Sequence, residues 1–585
     1  MATDSASETT TAGVQDIDEP DGLGLRALLR DLLRDYRYMD VPIRRYVLLA
    51  IIPSFVLGLL FPVVVLVYVG SFLPTFIALL TGFFFPVVVV FYPKILQDRR
   101  RKQIREHFHL FITHLTILST TNIDRVEVFR TLAQEDEYDA IAEEMARIVG
   151  LVDTWNQSLE DACRMRSESI SSPLMSDFLE RLAYTVGAGR DISEFLLEEQ
   201  DSIIGNFVVR YESRLDRLDL LKDVYMSIVL SMTFGAVFAM VIPFIVGIDP
   251  TQPVAAVIIL FAFVQGIFVF AIHSVSPSDP VWFGGSSVSL ERNIKLRATL
   301  LASVALCFVL GGLCYALLTN AFGIGNPIPT VFYLAIPFTP LLLPGYVAYT
   351  AESRIKERDE SFPAFIRALG AVESVKQSST SSVLESLRTK DFGALTEQID
   401  NLYKRLALRV DSQEAWRYFA AEAGSYLIQK FSDMYVTGRR MGGDPKQLGQ
   451  LIESNISEVL KLRDQRSQST GTMTGTLYGI TAANTFALFV GLQVAQIFQQ
   501  VSSEMNLSQS RLGGLLSAQV YDIPQLQFLL FVAVLINALL SSLILRYTDR
   551  GHLSTMLHHF VIQTWISVIV AFATIRITES IISFS

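Results

Sequence analysis

Residues 184–199 read YTVGAGRDISEFLLEE, and a cognate stretch, YVTGRRMGGDPKQLGQLIE, occupies residues 435–453. Each places a glycine turn before an aspartate and an apolar-periodic run. Glycine turns that open helices can cradle phosphate, so a nucleotide site is the first reading to weigh. A dinucleotide fingerprint needs G-x-G-x-x-G between a strand and a helix. Here the residues before Gly187 are helical in pattern, no third glycine follows, and no GK[ST] sequence occurs. Helix capping fits better. Asp191-Ile-Ser-Glu194 and Asp444-Pro-Lys-Gln447 match the capping box: the aspartate accepts from free amides and the residue three positions on bonds back. Pro445 sits at the first helical position, where its missing N–H costs nothing. Gly187, Gly189, Gly442 and Gly443 end the preceding helices. A partner contact is a further reading, because Arg190, Arg439 and Arg440 cluster at the turns.

The recurrence extends outward from the turns. LFITHL (110–115) corresponds to AFIRAL (364–369), and SLEDA (158–162) to DSQEA (411–415), at a spacing of roughly 250 residues. Both segments are polar with apolar residues at i, i+3, i+4 and i+7, the pattern of small helical bundles; no strand alternation is evident.

Between and around these segments the chain is apolar. Of 585 residues 51% are hydrophobic and 18% charged, against about 25% charged in a soluble domain. Runs near the ~20 residues that cross a bilayer lie at 46–69, 73–92, 224–248, 253–275, 298–318, 329–349, 472–494, 526–545 and about 553–575; none contains Asp, Glu, Lys or Arg. The seventh is rich in Thr and Gly, which suit close helix packing in lipid. Basic residues flank alternate ends: Arg26 to Arg45, Arg99-Arg100-Arg101-Lys102, Arg292 to Arg297, Arg354 to Arg358, and Arg546 with Arg550. By the positive-inside rule these face the cytoplasm, as does the N-terminus.

The expected fold is an all-α polytopic membrane protein with about nine transmembrane helices and two helical-bundle cytoplasmic domains. Residues 1–22 are polar and acidic, without a signal-peptide run, and are read as a disordered cytoplasmic tail. Residues 23–45 form an amphipathic helix, for which an interfacial seat and docking of a soluble partner both remain open. Two spans follow at 46–92, the first cytoplasmic repeat at 94–223, two spans at 224–275 and a cytoplasmic loop at 276–297. Two spans at 298–349, the second repeat at 351–470, and three spans at 472–575 with an external loop at 496–525 complete the layout.

Chemistry-bearing patterns are few. The net charge of −10 argues against nucleic acid as a partner. Three cysteines make no disulfide framework; Cys163 is read as a reduced core thiol, Cys307 and Cys314 as packing residues. His107, His109 and His114 do not share a helix face and no acid or cysteine completes a metal set. No nucleophile motif occurs. The expectation is no catalytic residue, no metal and no cofactor.

The layout resembles the type II secretion F-domain superfamily, the inner-membrane platform proteins of secretion systems, type IV pili and the archaellum. SLEDA and DSQEA, the glycine turns, and DISEFL and DPKQL carry the resemblance, which covers nearly the whole chain after Leu23. The added spans are similar to archaeal members, and YRYMDVPIRRYVLL (36–49) looks like the start of haloarchaeal archaellum platforms; archaeal type IV adhesion pilus platforms share the layout. The resemblance implies a tandem F-domain repeat in the cell membrane, without an active site. It couples a hexameric secretion ATPase to assembly of filament subunits, archaellins or pilins, and in an archaellum to rotation. It also implies other motor-complex subunits and is compatible with a homodimer. On this reading Arg99, Arg100, Arg101, Lys102, Arg190, Arg439 and Arg440 contact the ATPase. A polytopic transporter is the alternative from another class, but its mid-membrane ionisable site is missing from the spans.

Overall fold

The structure is a computed structural model that describes residues 43–56, 58–60, 72–121, 123–135, 138–246, 250–283, 291–319, 321, 328–376, 380–504 and 523–584. Among these the chain is helical throughout, apart from short turns and one isolated bridge between Trp282 and Ser425. It divides into two compact units. One holds Asp124–Leu197 and the chain up to Leu115; the other holds Thr116–Ile123 and everything from Glu198.

In the first unit the long helix α1 (Phe72–Ser119) is followed by α2 (Arg125–Ala133), α3 (Ala140–Trp155), α4 (Leu159–Ser167) and α5 (Pro173–Gly187). The helices form where the apolar periodicity predicts, and close on an aromatic core. Phe178 of α5 meets Phe108 edge-on at 5.6 Å and Phe111 at 6.2 Å, and Tyr138 closes on Phe111. His114 lies in this core, its Nδ1 3.0 Å from the Tyr138 hydroxyl. Cys163 is fully buried, and burial pushes its thiol pKa up to about 12.

Helix α6 (Ile192–Val246) starts at the first glycine turn. Helices α7 (Thr251–Val275) and α8 (Glu291–Leu318) follow, then α9 (Leu342–Lys376), α10 (Thr380–Leu387), α11 (Thr396–Ala407), α12 (Ser412–Ala423) and α13 (Tyr426–Arg440). The second turn opens α14 (Pro445–Glu504), after which come α15 (Ile523–Asp549) and α16 (Thr555–Phe584). The second helical core repeats the first: Phe362 and Phe365 stand where Phe108 and Phe111 do, packed against Phe419 and Trp416.

Seven of these helical stretches are long and apolar enough to cross a membrane, and they correspond to the third to ninth expected spans. The first expected span is described over residues 46–56 and 58–60, while the tail and most of the 23–45 helix lie outside the described residues; the second lies inside α1. The sixth departs from a simple span. Residues Thr330–Leu334 and Ile336–Leu341 form tight 3-10 turns, and the α-helix begins only at Leu342. Pro337 and Pro340 remove amide donors and obstruct the i−4 carbonyls there. Helix α14 runs past residue 496 to Glu504.

Inside the apolar layer the helices are pinned by neutral polar side chains. Thr233 of α6 donates to Asn484 Oδ1 of α14 at 2.9 Å, and Gln265 of α7 donates to Asn537 Oδ1 of α15 at 2.8 Å. The Tyr225 hydroxyl meets Ser541 Oγ at 3.1 Å. Such bonds contribute about 0.6 kcal/mol each in lipid, so they select partners more than they add stability. The Thr- and Gly-rich stretch of the seventh run does not make the close contacts expected of it: a Cβ at Gly471, Gly475 or Gly479 would meet nothing within 4 Å, whereas further along at Gly491 a Cβ would lie 2.8 Å from Met240 Cε.

Candidate functional site

Both glycine turns close the same way. Gly189 and Gly442 take left-handed φ values of 68° and 85°, open to glycine without a Cβ penalty. One residue on, Arg190 N donates to Thr185 O and Gly443 N to Gly438 O, at 3.2 and 2.9 Å. These are the 6→1 bonds of Schellman caps. The next aspartate then starts the new helix. Asp444 Oδ1 accepts from Gln447 N at 2.9 Å, whereas Asp191 Oδ1 accepts from Ser193 N and Ser193 Oγ. The Ser193 hydroxyl, then its amide, hold the Asp191 carboxyl below its ordinary pKa. The return half of the capping box does not form: the side chains of Glu194 and Gln447 do not bond back to the aspartates. Upstream, Ser158 accepts from Asp161 N and Asp411 from Gln413 N and Glu414 N, so both members of the SLEDA/DSQEA pair cap equivalent helices.

The basic residues at these corners fare differently. Arg439 turns inward: Nε and Nη2 donate to Glu373 Oε1 at 3.2 and 2.9 Å, and Nη1 to Gly443 O at 2.6 Å. Tyr435 donates to Glu373 Oε2 at 2.7 Å and Thr380 to Oε1 at 3.1 Å. Burial, then the Glu373 carboxylate, raise the Tyr435 pKa, so the phenol stays a donor. Arg440 is exposed and donates to Gln413 Oε1 at 3.2 Å. In α1, Arg100 pairs with Glu143, Arg101 donates to Ser171 O, and Lys102 faces Glu106. Arg99 and Arg190 are exposed and form no side-chain hydrogen bond or ion pair among the described residues.

A second constellation, missed in the sequence, lies where α14 approaches the apolar layer. Arg463 Nε and Nη2 bond both oxygens of Asp279 at 2.7 Å, and Nη1 bonds Asp359 Oδ2 at 2.8 Å. Asp279 belongs to the segment after α7 and Asp359 to α9. Lys356 bridges Glu352 at 3.5 Å and Asp549 at 3.0 Å. Arg466 donates to Thr548 O at the end of α15, and Arg550 to Pro277 O and Ser276 O beyond α7. Charge-assisted, forked bonds of this kind fix geometry as well as contribute energy. The collar holds α14 to α9, α7 and α15 at one level. In addition, Phe283 N donates to Gly424 O and Tyr426 N to Val281 O, tying the segment after α7 to the α12–α13 corner. Among the described residues of the corners and the collar no nucleophile is paired with a base; the arrangement fastens helices to one another.

The type II secretion system protein F family matches residues 111–243. The chain is 32% identical over 550 residues to Flagella accessory protein J of Methanocaldococcus jannaschii, covering 93% of this chain and 96% of that protein. To Flagella accessory protein J of Methanococcus voltae it is 33% identical over 497 residues, 84% of this chain and 88% of that one. No solved structure matches it.

Proposed function

The chain belongs to the Flagella accessory protein J family, with a type II secretion protein F segment at 111–243, and from that premise we propose that it is the membrane platform of an archaellum motor. It receives the movement of a cytoplasmic secretion ATPase and passes it to the membrane, where filament subunits are assembled and the filament turned. A platform of an archaeal type IV adhesion pilus would work by the same physics. The nine-span layout, the cytoplasmic N-terminus and the tandem cytoplasmic domains belong to this proposal.

The continuity of α14 carries the mechanical part. Its 60 residues would span about 90 Å at 1.5 Å per residue. One unbroken rod thus leads from the second glycine corner, past the Arg463 collar, into the apolar layer. A push at the corner reaches the membrane helices without crossing a hinge. The Thr, Asn and Gln bonds within the layer are helix-to-helix contacts and favour this reading over a transport path.

Of the seven basic residues proposed to meet the ATPase, Arg439 is committed to Glu373, and Arg100, Arg101 and Lys102 have acidic or carbonyl partners within their own unit. The proposal therefore centres on Arg99, Arg190 and Arg440. Reversing all three to Glu should weaken ATPase capture by the full-length protein at low salt by roughly tenfold, with the difference shrinking as salt screens the contact. Equal capture across a salt titration would refute the contact. Deletion of the gene, followed by microscopy and a swimming assay, tests the function itself: cells that keep both filaments and motility would overturn it.

A further inference from the structure

The collar carries more negative charge than its cations can pair. Two carboxylates, Asp279 and Asp359, share Arg463, and two more, Glu352 and Asp549, share Lys356. The charged groups that face Asp359 come from the elements around it: Arg463, Asp464 and Arg466 from α14, Asp279 from the segment after α7, Asp549 from α15, and Lys356 and Glu360 from α9 itself. From α6, Tyr211 stands beside Arg466 and Asp279. All but Tyr211 line one cavity of about 90 Å³, where five carboxylates meet three cations. A cavity of that size with polar walls admits water. Glu360 and Asp464 are exposed, so it opens to solvent.

Asp359 is the least compensated of these carboxylates. It is only 1% exposed. Asp279 keeps both oxygens on the Arg463 fork at 2.7 Å, whereas Asp359 has Oδ2 alone there, at 2.8 Å. Its Oδ1 makes no hydrogen bond of ordinary geometry. Arg466 adds charge nearby, but its Nε is bonded to Thr548 O. Burying a carboxylate that is only half paired costs more than the pairing restores. Two carboxylates on one cation also favour a proton on one of them. Burial accordingly pushes the Asp359 carboxyl up to about 6; Arg463 and the Ser425 hydroxyl pull it down, and Asp279 adds to the rise.

We propose that the collar is a proton-operated clamp: Asp359 takes a proton through the cavity as the pH falls below neutral, and with that charge gone the grip of α9 on α14 tightens. The proton removes the cost of the buried charge while Arg463 stays forked on Asp279. In the closed collar the carboxyl holds its proton up to about pH 6. Opened to water, it would release the proton near the ordinary aspartate value of about 3.9. Closure is therefore favoured in full below about pH 4, and that advantage is lost as the pH rises through about 6. The clamp acts on α14 whatever drives the rod, so it stands apart from the motor reading.

The full-length protein in nanodiscs is compared at about pH 7.5 and about pH 5 by infrared difference spectroscopy and by hydrogen exchange corrected for the intrinsic pH dependence of amides. Acidification should raise a protonated-carboxyl band that is lost in Asp359→Asn and kept in Glu360→Gln, on an exposed neighbour. Corrected exchange at residues 459–467 of α14 should be roughly tenfold slower at the lower pH in the wild type. It should be equally slow at both in Asp359→Asn, which stands in for the protonated form. Asp279→Asn keeps the titrating group and frees Arg463 for it alone, so the midpoint of the band should fall by about one unit; this variant decides the matter should Asp359→Asn fail to fold. A band unchanged in Asp359→Asn, exchange that does not slow on acidification, or a midpoint unmoved in Asp279→Asn would each overturn the clamp.

Discussion

At Gly189 and at Gly442 the chain makes the same left-handed turn, closes it with the same 6→1 bond and restarts with an aspartate cap. What surrounds the two turns is not the same. Behind the second, Gly370 and Gly449 let α9 and α14 cross almost backbone to backbone: a Cβ on Gly370 would come 2.2 Å from Pro445 O. The same corner is latched by Glu373, Tyr435 and Arg439. At the aligned positions of the first repeat stand Thr116, Leu196, Ser119, Leu182 and Val186, which supply neither the pair of glycines nor the glutamate, tyrosine and arginine of the latch. Equivalent turns therefore need not be equivalent joints. The second corner is fastened to the rod α14 by both the crossing and the latch, and the first presents Arg190 at a turn where Gly187 packs against the Glu160 carboxylate.

The largest effect should come from filling the crossing. Gly370→Val would drive a side chain into a carbonyl and the backbone of Gly449, neither of which can swing away. Overpacking typically costs 1–3 kcal/mol where side chains can yield, and roughly 3 kcal/mol or more is expected here. Thr116→Val, at the aligned position in the first repeat, keeps the side chain's size but removes a buried hydroxyl, and should cost only about 1 kcal/mol. Thermal unfolding of the full-length protein, read alongside limited proteolysis of the 380–440 segment, separates the two. Equal behaviour would show that the crossing is not what distinguishes the joints.

Next comes the latch. Glu373→Ala leaves the Tyr435 hydroxyl without its acceptor and Arg439 without its counter-charge. Arg439 is 30% exposed, so water recovers part of the loss, and about 2 kcal/mol is expected rather than the 3–5 of a fully buried pair. A double-mutant cycle with Arg439→Ala should return a coupling of about 1–2 kcal/mol. A coupling near zero would reduce the latch to two coincident surface contacts.

The turns, their caps and the paired helices could be read from the sequence because each is local: glycine, aspartate and proline act within four residues of themselves. The apolar runs were equally legible, since length and hydropathy suffice. The latch was not. Glu373 sits in AVESVK and reads as a solvated helix position; its partners lie 62 and 66 residues away, and only packing brings them together. The same holds for Asp279 and Arg463, 184 residues apart. In GRRMGG nothing marks which arginine turns inward, so Arg439 and Arg440 looked alike although one belongs to the interior. The 3-10 start before Leu342 was signalled by Pro337 and Pro340, but proline inside an apolar run reads equally as a kink.

The smallest effect is the sharpest test of whether the corners differ as joints. Replacing an N-cap by alanine ordinarily costs about 1 kcal/mol. At Asp444 the start of α14 would still be held by Arg439 on Gly443 O and by the crossing at Gly370, so Asp444→Ala should leave the first turn of α14 closed. At Asp191 the cap is the main side-chain fastening of the first turn of α6, and its removal should let that turn fray. Hydrogen exchange on the full-length protein resolves this locally. Faster exchange is expected at residues 192–196 in Asp191→Ala, with little change at 446–450 in Asp444→Ala. In the Glu373→Ala background the second corner should become as sensitive as the first, because the latch that masks the loss of its cap is gone. If Asp444→Ala frays α14 even with Glu373 in place, the two corners are held alike by their caps, and the stiffness assigned to the second must come from elsewhere along the rod.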